Sequence, residues 1–114
     1  MRRDLAAVCD MADSARLARA HAAGRSFQDF MNDQALQDAV VFRVLIVGEA
    51  AKRVSAVMRA RYPQVPWGLA AAMRNRIIHE YDRIHFQTVW DTVKSDLPVL
   101  LEQLERILAE NPPE

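Results

Sequence analysis

An all-α fold is predicted by three features of the sequence. Only three glycines and five prolines interrupt its 114 residues; the apolar residues recur mostly at spacings of three and four; and no segment alternates apolar with polar residues between turn signals, as a strand would. A chain this long accommodates one domain with a single core, expected over 1–110 with a disordered tail from Asn111 to Glu114. Hydrophobic residues at 51% and charged ones at 26% give the balance of a folded globular protein.

The same composition narrows the function classes. Asp4 and Asp10 break the apolar stretch that follows Arg2 and Arg3 before it could form a signal-peptide core, and no later run is long enough to cross a bilayer without charge. A cytoplasmic protein is expected. Cys9 is the only cysteine, so one chain holds no disulfide and no cysteine metal site, and Cys9 reads as a small apolar filler. Fifteen basic and fifteen acidic side chains cancel, which argues against a broad electrostatic face that holds DNA. Any nucleic-acid contact must be local.

The first helix is expected from about Asp4 to Ala23. Leu5, Val8, Ala12, Ala15, Ala18 and Ala22 form one stripe, and Gly24 is placed to end it. Ser26 followed by Asp29 resembles a helix start, with Phe27 and Phe30 able to anchor that short turn. The longest segment begins near Asn32 and reaches Arg61, where Tyr62 precedes Pro63 and the residue before proline is pushed out of the helical region.

Val40, Val44, Val47, Ala51, Val54 and Met58 line one face of this segment. Val41, Phe42, Leu45 and Ile46 fill the other faces, leaving Arg43 as the only charge between residues 39 and 48. A helix apolar nearly all round is covered nearly all round, and so small a domain supplies too few neighbours. A homodimer through this helix is therefore expected.

PQVPWGL is a proline-bounded connector whose Trp67 is expected to plug the bundle. A further helix starts near Trp67 or Gly68 and frays around Tyr81 or Asp82. FQTVWDTVKSDLPVLLEQLERILAE then reads as one or two helices, with Pro98 either in the first turn of a new helix after Asp96 or at a kink in a continuous one.

Ionisable chemistry gathers in MRNRIIHEYDR, residues 73 to 83. On an ideal helix Ala70, Met73 and Ile77 share the core face, while Asn75, His79 and Asp82 lie together on another. Arg74 would sit about 140° round from His79, close enough for a long side chain to lean across, and Asn75 could orient the ring by hydrogen bonding. Tyr81 would lie nearly below Arg74 if the helix continued. An imidazole titrating near neutrality beside a guanidinium suits phosphodiester cleavage, since histidine moves a proton and arginine holds phosphate and its transition-state charge. With a ribose 2′-hydroxyl as nucleophile, neither metal nor cofactor is needed, and the substrate is RNA.

These residues also have structural readings. Arg74 could pair with Glu80, Asp82 or a carboxylate elsewhere, His79 could bond a carbonyl, and Tyr81 could sit at the core edge with its hydroxyl in water. Glu49 lacks companions for metal or catalytic work, and a buried salt bridge to Arg43 or Arg53 is the better expectation. Arg59 and Arg61 could guide RNA, although cations also suit a helix C-terminus.

The residues Arg74 to Tyr81 match the R-x-x-x-x-H-x-Y pattern of HepT-like proteins in the HEPN superfamily. VGEAAKRVS, YPQVPWGLAAAMRNRIIHEY and VWDTVKSDLPVLLEQL resemble the family in the same order, so the resemblance covers nearly the whole chain. It implies a small up-and-down bundle of four to five helices that dimerises. It also implies a metal-independent endoribonuclease, usually the toxin of a toxin–antitoxin pair. By matching position, Arg74 and His79 are the implied catalytic pair and Asn75 the supporting polar residue. Tyr81 is the implied modification site, where an MNT-type nucleotidyltransferase antitoxin attaches AMP. His85 stands where relatives often carry an acidic residue, and a solvated loop histidine with no function is the expectation for it. A reading from a different class remains open: a non-catalytic helical module that binds a nucleotide or the partner nucleotidyltransferase.

Overall fold

The computed structural model describes residues 2–79 and 83–112, with His79 described through its backbone alone. Among these residues five helical segments carry the chain, as an all-α bundle requires, and three of them are divided internally. Helix α1 (Arg2–Ala22) buries Val8, Met11, Ala12, Ala15, Ala18 and Ala22. Gly24 ends it at φ +70°, a left-handed conformation that glycine adopts without a Cβ penalty.

Helix α2 (Phe27–Met31) starts in a capping box. Ser26 Oγ accepts the Asp29 N–H at 3.0 Å while the Asp29 carboxylate accepts the Ser26 N–H at 2.9 Å. Phe30 is fully buried and stacks on Trp90, ring centroids 4.8 Å apart, with Phe86 meeting it edge-on. This aromatic cluster ties α2 to α7 (Phe86–Asp91).

The longest segment is not one helix. Helix α3 (Gln34–Lys52) begins at Asp33, whose carboxylate accepts the Leu36 N–H, and ends before a turn at Arg53 and Val54; α4 (Ala56–Arg61) restarts at Ser55. All six residues of the predicted stripe, Val40 to Met58, are nonetheless buried. The break arises because Ser55 takes an N-cap conformation, its Oγ accepting from the Met58 N–H. Asp4 fixes it from α1. Arg59 turns back and donates to the carbonyls of Ala51 at 2.9 Å and Val54 at 3.2 Å, satisfying the end of α3.

Helix α1 lies along α3 and against α8 (Leu97–Glu110). The Asp4–Ser55 contact joins the start of α1 to the end of α3, and Lys94 donates to the Ala22 carbonyl near the start of α8, so both neighbours run antiparallel to α1. Helix α7 reaches α8 through a π turn at Thr92–Asp96, and Pro98 occupies the first turn of α8. The right-handed path never breaks, so a wide turn within a continuous helix accommodates the proline. The stripe Leu97, Leu100, Leu101, Leu104 and Ile107 then closes the core. Asn111, where the tail was expected to begin, donates to the Tyr62 hydroxyl and the Ile107 carbonyl.

Three expectations need correction. Cys9 is exposed and fills no core space, because it stands off the buried stripe of α1. Glu49 is likewise on the outside, paired with Lys52 at 3.3 Å, while Arg53 pairs with Asp10. The helix expected from Trp67 to Tyr81 is two short ones, α5 (Trp67–Ala71) and α6 (Met73–Ile77), and it stops early.

Candidate functional site

The motif begins on α6. Met73 and Ile77 are buried with Ala70, as the spacing predicts, and they anchor the segment on the core. Trp67 plugs the bundle at its start, donating its indole N–H to the Tyr62 carbonyl at 2.9 Å. Gly48 lets the segment lie directly on α3. A Cβ there would stand 3.2 Å from the Ala70 carbonyl oxygen, 3.3 Å from Met73 Cβ and 3.7 Å from the Arg74 nitrogen. A glycine inside an apolar helical pattern signals such an approach, and it is a supporting residue the motif itself does not reveal.

With the core face thus fixed, Arg74 and Asn75 are exposed. Arg74 makes no ion pair or side-chain hydrogen bond among the described residues, whereas Arg76 reaches the Asp96 carboxylate at 3.8 Å. Two arginines two residues apart therefore differ: among the described residues one has a carboxylate partner and the other has none.

Helical geometry does not carry the motif to His79. Ile78 is extended at φ −108° and ψ 113°, and strand β1 (Ile78–His79) pairs antiparallel with β2 (Arg83–Ile84) in the register Ile78 to Ile84 and His79 to Arg83. The His85 N–H donates to the Ile77 carbonyl at 2.6 Å, which takes a helix-end acceptor out of the α6 pattern. The relations expected on an ideal helix, Arg74 to His79 and Asn75 to His79, therefore do not apply. The consecutive β-branched residues Ile77 and Ile78 favour the extended exit. Tyr81, with Glu80 and Asp82, lies outside the described residues.

The ladder adds Arg83, an exposed residue directly opposite the His79 backbone, to which the R-x-x-x-x-H-x-Y pattern assigns no role. His85 has a local partner: its Nδ1 lies within hydrogen-bond distance of Thr88 Oγ1 at the start of α7. Among the described residues no group of three His, Cys, Asp or Glu side chains is placed to hold a metal ion. No helix is long and apolar enough to cross a membrane among them.

A surface groove adjoins this ladder. Val41, Phe42 and Leu45 of α3 face Ile84 and Phe86 across about 240 Å³, and Phe42 is 52% exposed. The apolar excess on α3 is thus covered only in part by this chain.

Comparison with known proteins agrees with the motif. The family described as Ribonuclease HepT-like matches residues 11–107. The chain is similar to the "Putative RNase TTE0752" of Caldanaerobacter subterraneus subsp. tengcongensis, with 38% identity over 75% of this chain and 76% of that protein. It is also similar to the "Probable ribonuclease HepT" of Thermococcus cleftensis, with 33% identity over 86% of this chain and 89% of that protein. No solved structure gives a significant match. The chain belongs to the ribonuclease HepT-like family of the HEPN superfamily, and with that membership it is an endoribonuclease.

Proposed function

We propose that this endoribonuclease cleaves RNA through Arg74 and His79 without a metal or cofactor, as the toxin of a HEPN/MNT toxin–antitoxin pair in the cytoplasm. The observation that carries the reading is that Arg74 is exposed, makes no ion pair among the described residues, and stands on a backbone anchored by the buried Met73 and Ile77. Arg76, two residues on, is by contrast within reach of the Asp96 carboxylate.

In this mechanism Arg74 binds the scissile phosphate by two hydrogen bonds. His79 accepts the proton of the 2′-hydroxyl as that oxygen attacks phosphorus. The P–O5′ bond breaks, the departing 5′-oxygen takes a proton from solvent, and a 2′,3′-cyclic phosphate remains. Guanidinium charge stabilises the extra negative charge of the transition state. Asn75, exposed next to Arg74, supports the site as a hydrogen-bonding neighbour.

The active form is a homodimer through the apolar face of α3. Exposed Phe42 and the groove it shares with Ile84 support this, because an apolar patch beside a functional ladder is a natural isologous contact. A second chain there would stand next to the strand that carries His79.

Tyr81 is the site at which an MNT-type nucleotidyltransferase antitoxin attaches AMP. Added phosphate near Arg74 would supply negative charge that occupies the guanidinium and blocks RNA.

Purified wild-type protein is expected to cleave RNA, and His79→Ala and Arg74→Ala to lose that cleavage. Equal cleavage by wild type and His79→Ala would show the mechanism to be wrong. Intact RNA with tight nucleotidyltransferase binding would favour a non-catalytic interaction module instead. For Tyr81, co-expression with the antitoxin followed by mass spectrometry should show an added AMP that is absent in Tyr81→Phe. Full silencing of an unmodified tyrosine would point to occlusion by complex formation.

A further inference from the structure

The two arginines near the end of the longest segment have different surroundings. Arg59 is engaged by the carbonyls of Ala51 and Val54. Arg61 opens with Arg3 and Arg53 onto a cavity of about 450 Å³ between the first turn of α1 and α4, its walls completed by Asp4, Ser55, Val57 and Met58.

Three arginines against Asp4 in the lining and Asp10 beside Arg53 leave this cavity an excess of one positive charge. Both oxygens of Asp4 accept from Ser55, one from its N–H and one from its hydroxyl, each at 2.8 Å. Arg53 is paired with Asp10 at 2.6 Å. Arg61 stacks over the Tyr62 ring at 5.8 Å, and neither Arg3 nor Arg61 makes an ion pair among the described residues. In a chain of zero formal net charge this is a concave concentration of guanidinium groups. Val57, 80% exposed, adds an apolar side chain to the lining.

Guanidinium groups facing solvent from a concave surface suit phosphates, which they bind in a bidentate fork. The cavity also lies at a useful distance from the motif. Ser55 is seven residues beyond Gly48, the residue against which the Arg74 backbone rests. Only the first four of those residues, to Lys52, continue α3, roughly 6 Å along its axis at 1.5 Å per residue, so the cavity lies just past the end of the helix on which the Arg74 segment rests, within the reach of a few nucleotides of extended RNA.

We propose that this cavity is a second RNA-backbone subsite, in which Arg3 and Arg61 hold phosphates of the strand at a distance from the bond cleaved at Arg74 and His79. The inference rests on the nuclease reading above and adds where the rest of the substrate lies. Backbone contacts of this kind carry no sequence information. They raise affinity for long strands and leave the chemical step alone.

The test compares wild type with the single variants Arg3→Ala and Arg61→Ala and the Arg3→Ala/Arg61→Ala double variant, using Arg19→Ala at the far end of α1 as the control matched in charge to each single variant. Steady-state cleavage is measured on a long unstructured RNA across a salt series, and on a dinucleotide too short to reach the cavity. In the double variant KM for the long RNA is expected to rise by about tenfold and its log–log salt slope to fall by about 1.4, since each single-strand phosphate contact contributes roughly 0.7. Its kcat, and its cleavage of the dinucleotide, should match wild type. Arg19→Ala should behave as wild type, and Arg3→Lys/Arg61→Lys should recover most of the affinity.

A double variant with wild-type KM and salt slope, or a loss in Arg19→Ala equal to that in the single variants, overturns the subsite while the nuclease reading stands. A wild-type protein that cleaves neither RNA overturns both.

Discussion

Asp4 holds Ser55 by two hydrogen bonds across 51 residues of sequence: the Ser55 N–H donates to Oδ1 and its hydroxyl to Oδ2, each at 2.8 Å. Ser55 Oγ in turn accepts from the Met58 N–H at 3.2 Å. One carboxylate in the first turn of α1 thus decides where the longest helical segment breaks and where α4 begins. Asp4→Ala leaves the Ser55 donors without their partner and is expected to cost about 1–3 kcal/mol. Chemical denaturation checks this, and a change under about 0.5 kcal/mol, the scale of an ordinary surface substitution, would contradict it.

Acid should weaken the fold through three carboxyl groups. The Ser55 N–H holds the Asp4 pKa below its ordinary 3.8, with the Ser55 hydroxyl adding to the effect against burial. The Ser26 N–H does the same for Asp29 and the Leu36 N–H for Asp33. Groups depressed in the folded state stabilise it above their unfolded pKa, and that stabilisation is lost as pH falls through the folded values. Denaturation midpoints should therefore be level from neutrality down to about pH 5 and decline below about pH 4. The decline should be shallower in Asp4→Asn; an identical profile would remove Asp4 from the explanation.

Gly48→Ala tests the seat of the motif. The new methyl meets a carbonyl oxygen at 3.2 Å and Met73 Cβ at 3.3 Å, so α5 and α6 must move by a few tenths of an ångström. Overpacking of this kind costs about 1–3 kcal/mol. Because the displaced backbone carries Arg74, kcat/KM is expected to fall at temperatures where the variant is still folded. Unchanged activity with lowered stability would confine the role of Gly48 to packing.

Arg74 and Arg76 should separate cleanly in kinetics. Arg74→Ala is expected to reduce cleavage by about 10²-fold or more through lost phosphate stabilisation. Arg76→Ala removes a half-exposed ion pair with Asp96, worth under about 1 kcal/mol, and should keep most activity. Similar losses in both would assign the effect to general positive charge.

Phe42→Glu places a charge on the exposed apolar face of α3. Sedimentation should show wild type as a dimer and the variant as a monomer with a similar thermal midpoint, because the side chain is half in solvent in the single chain. A wild-type monomer at micromolar concentration would remove the proposed interface.

Several features follow from local patterns. The capping box at Ser26 and Asp29, the positive-φ stop at Gly24 and the buried stripes of α1 and α8 each depend on residues within a few positions of one another. The R-x-x-x-x-H-x-Y motif marked the family for the same reason, since it is contiguous. Even the stripe from Val40 to Met58 is right on both sides of a break it does not reveal.

By itself, then, the sequence determined the helical class, the buried faces, the family and the identity of Arg74, Asn75, His79 and Tyr81 as candidates. Contacts from distant segments set the stops of α3 and α6. Ser55 breaks the longest one because Asp4 reaches it from α1, and Ile78 leaves α6 because Ile84 and His85 supply partners from beyond the turn. Backbone groups at a helix end must be satisfied by something, and periodicity cannot say which distant group will do it. The same limit hid the exposed state of Arg74, the pairing of Arg76 and the cavity shared by Arg3, Arg53 and Arg61, because each depends on residues brought together only by folding.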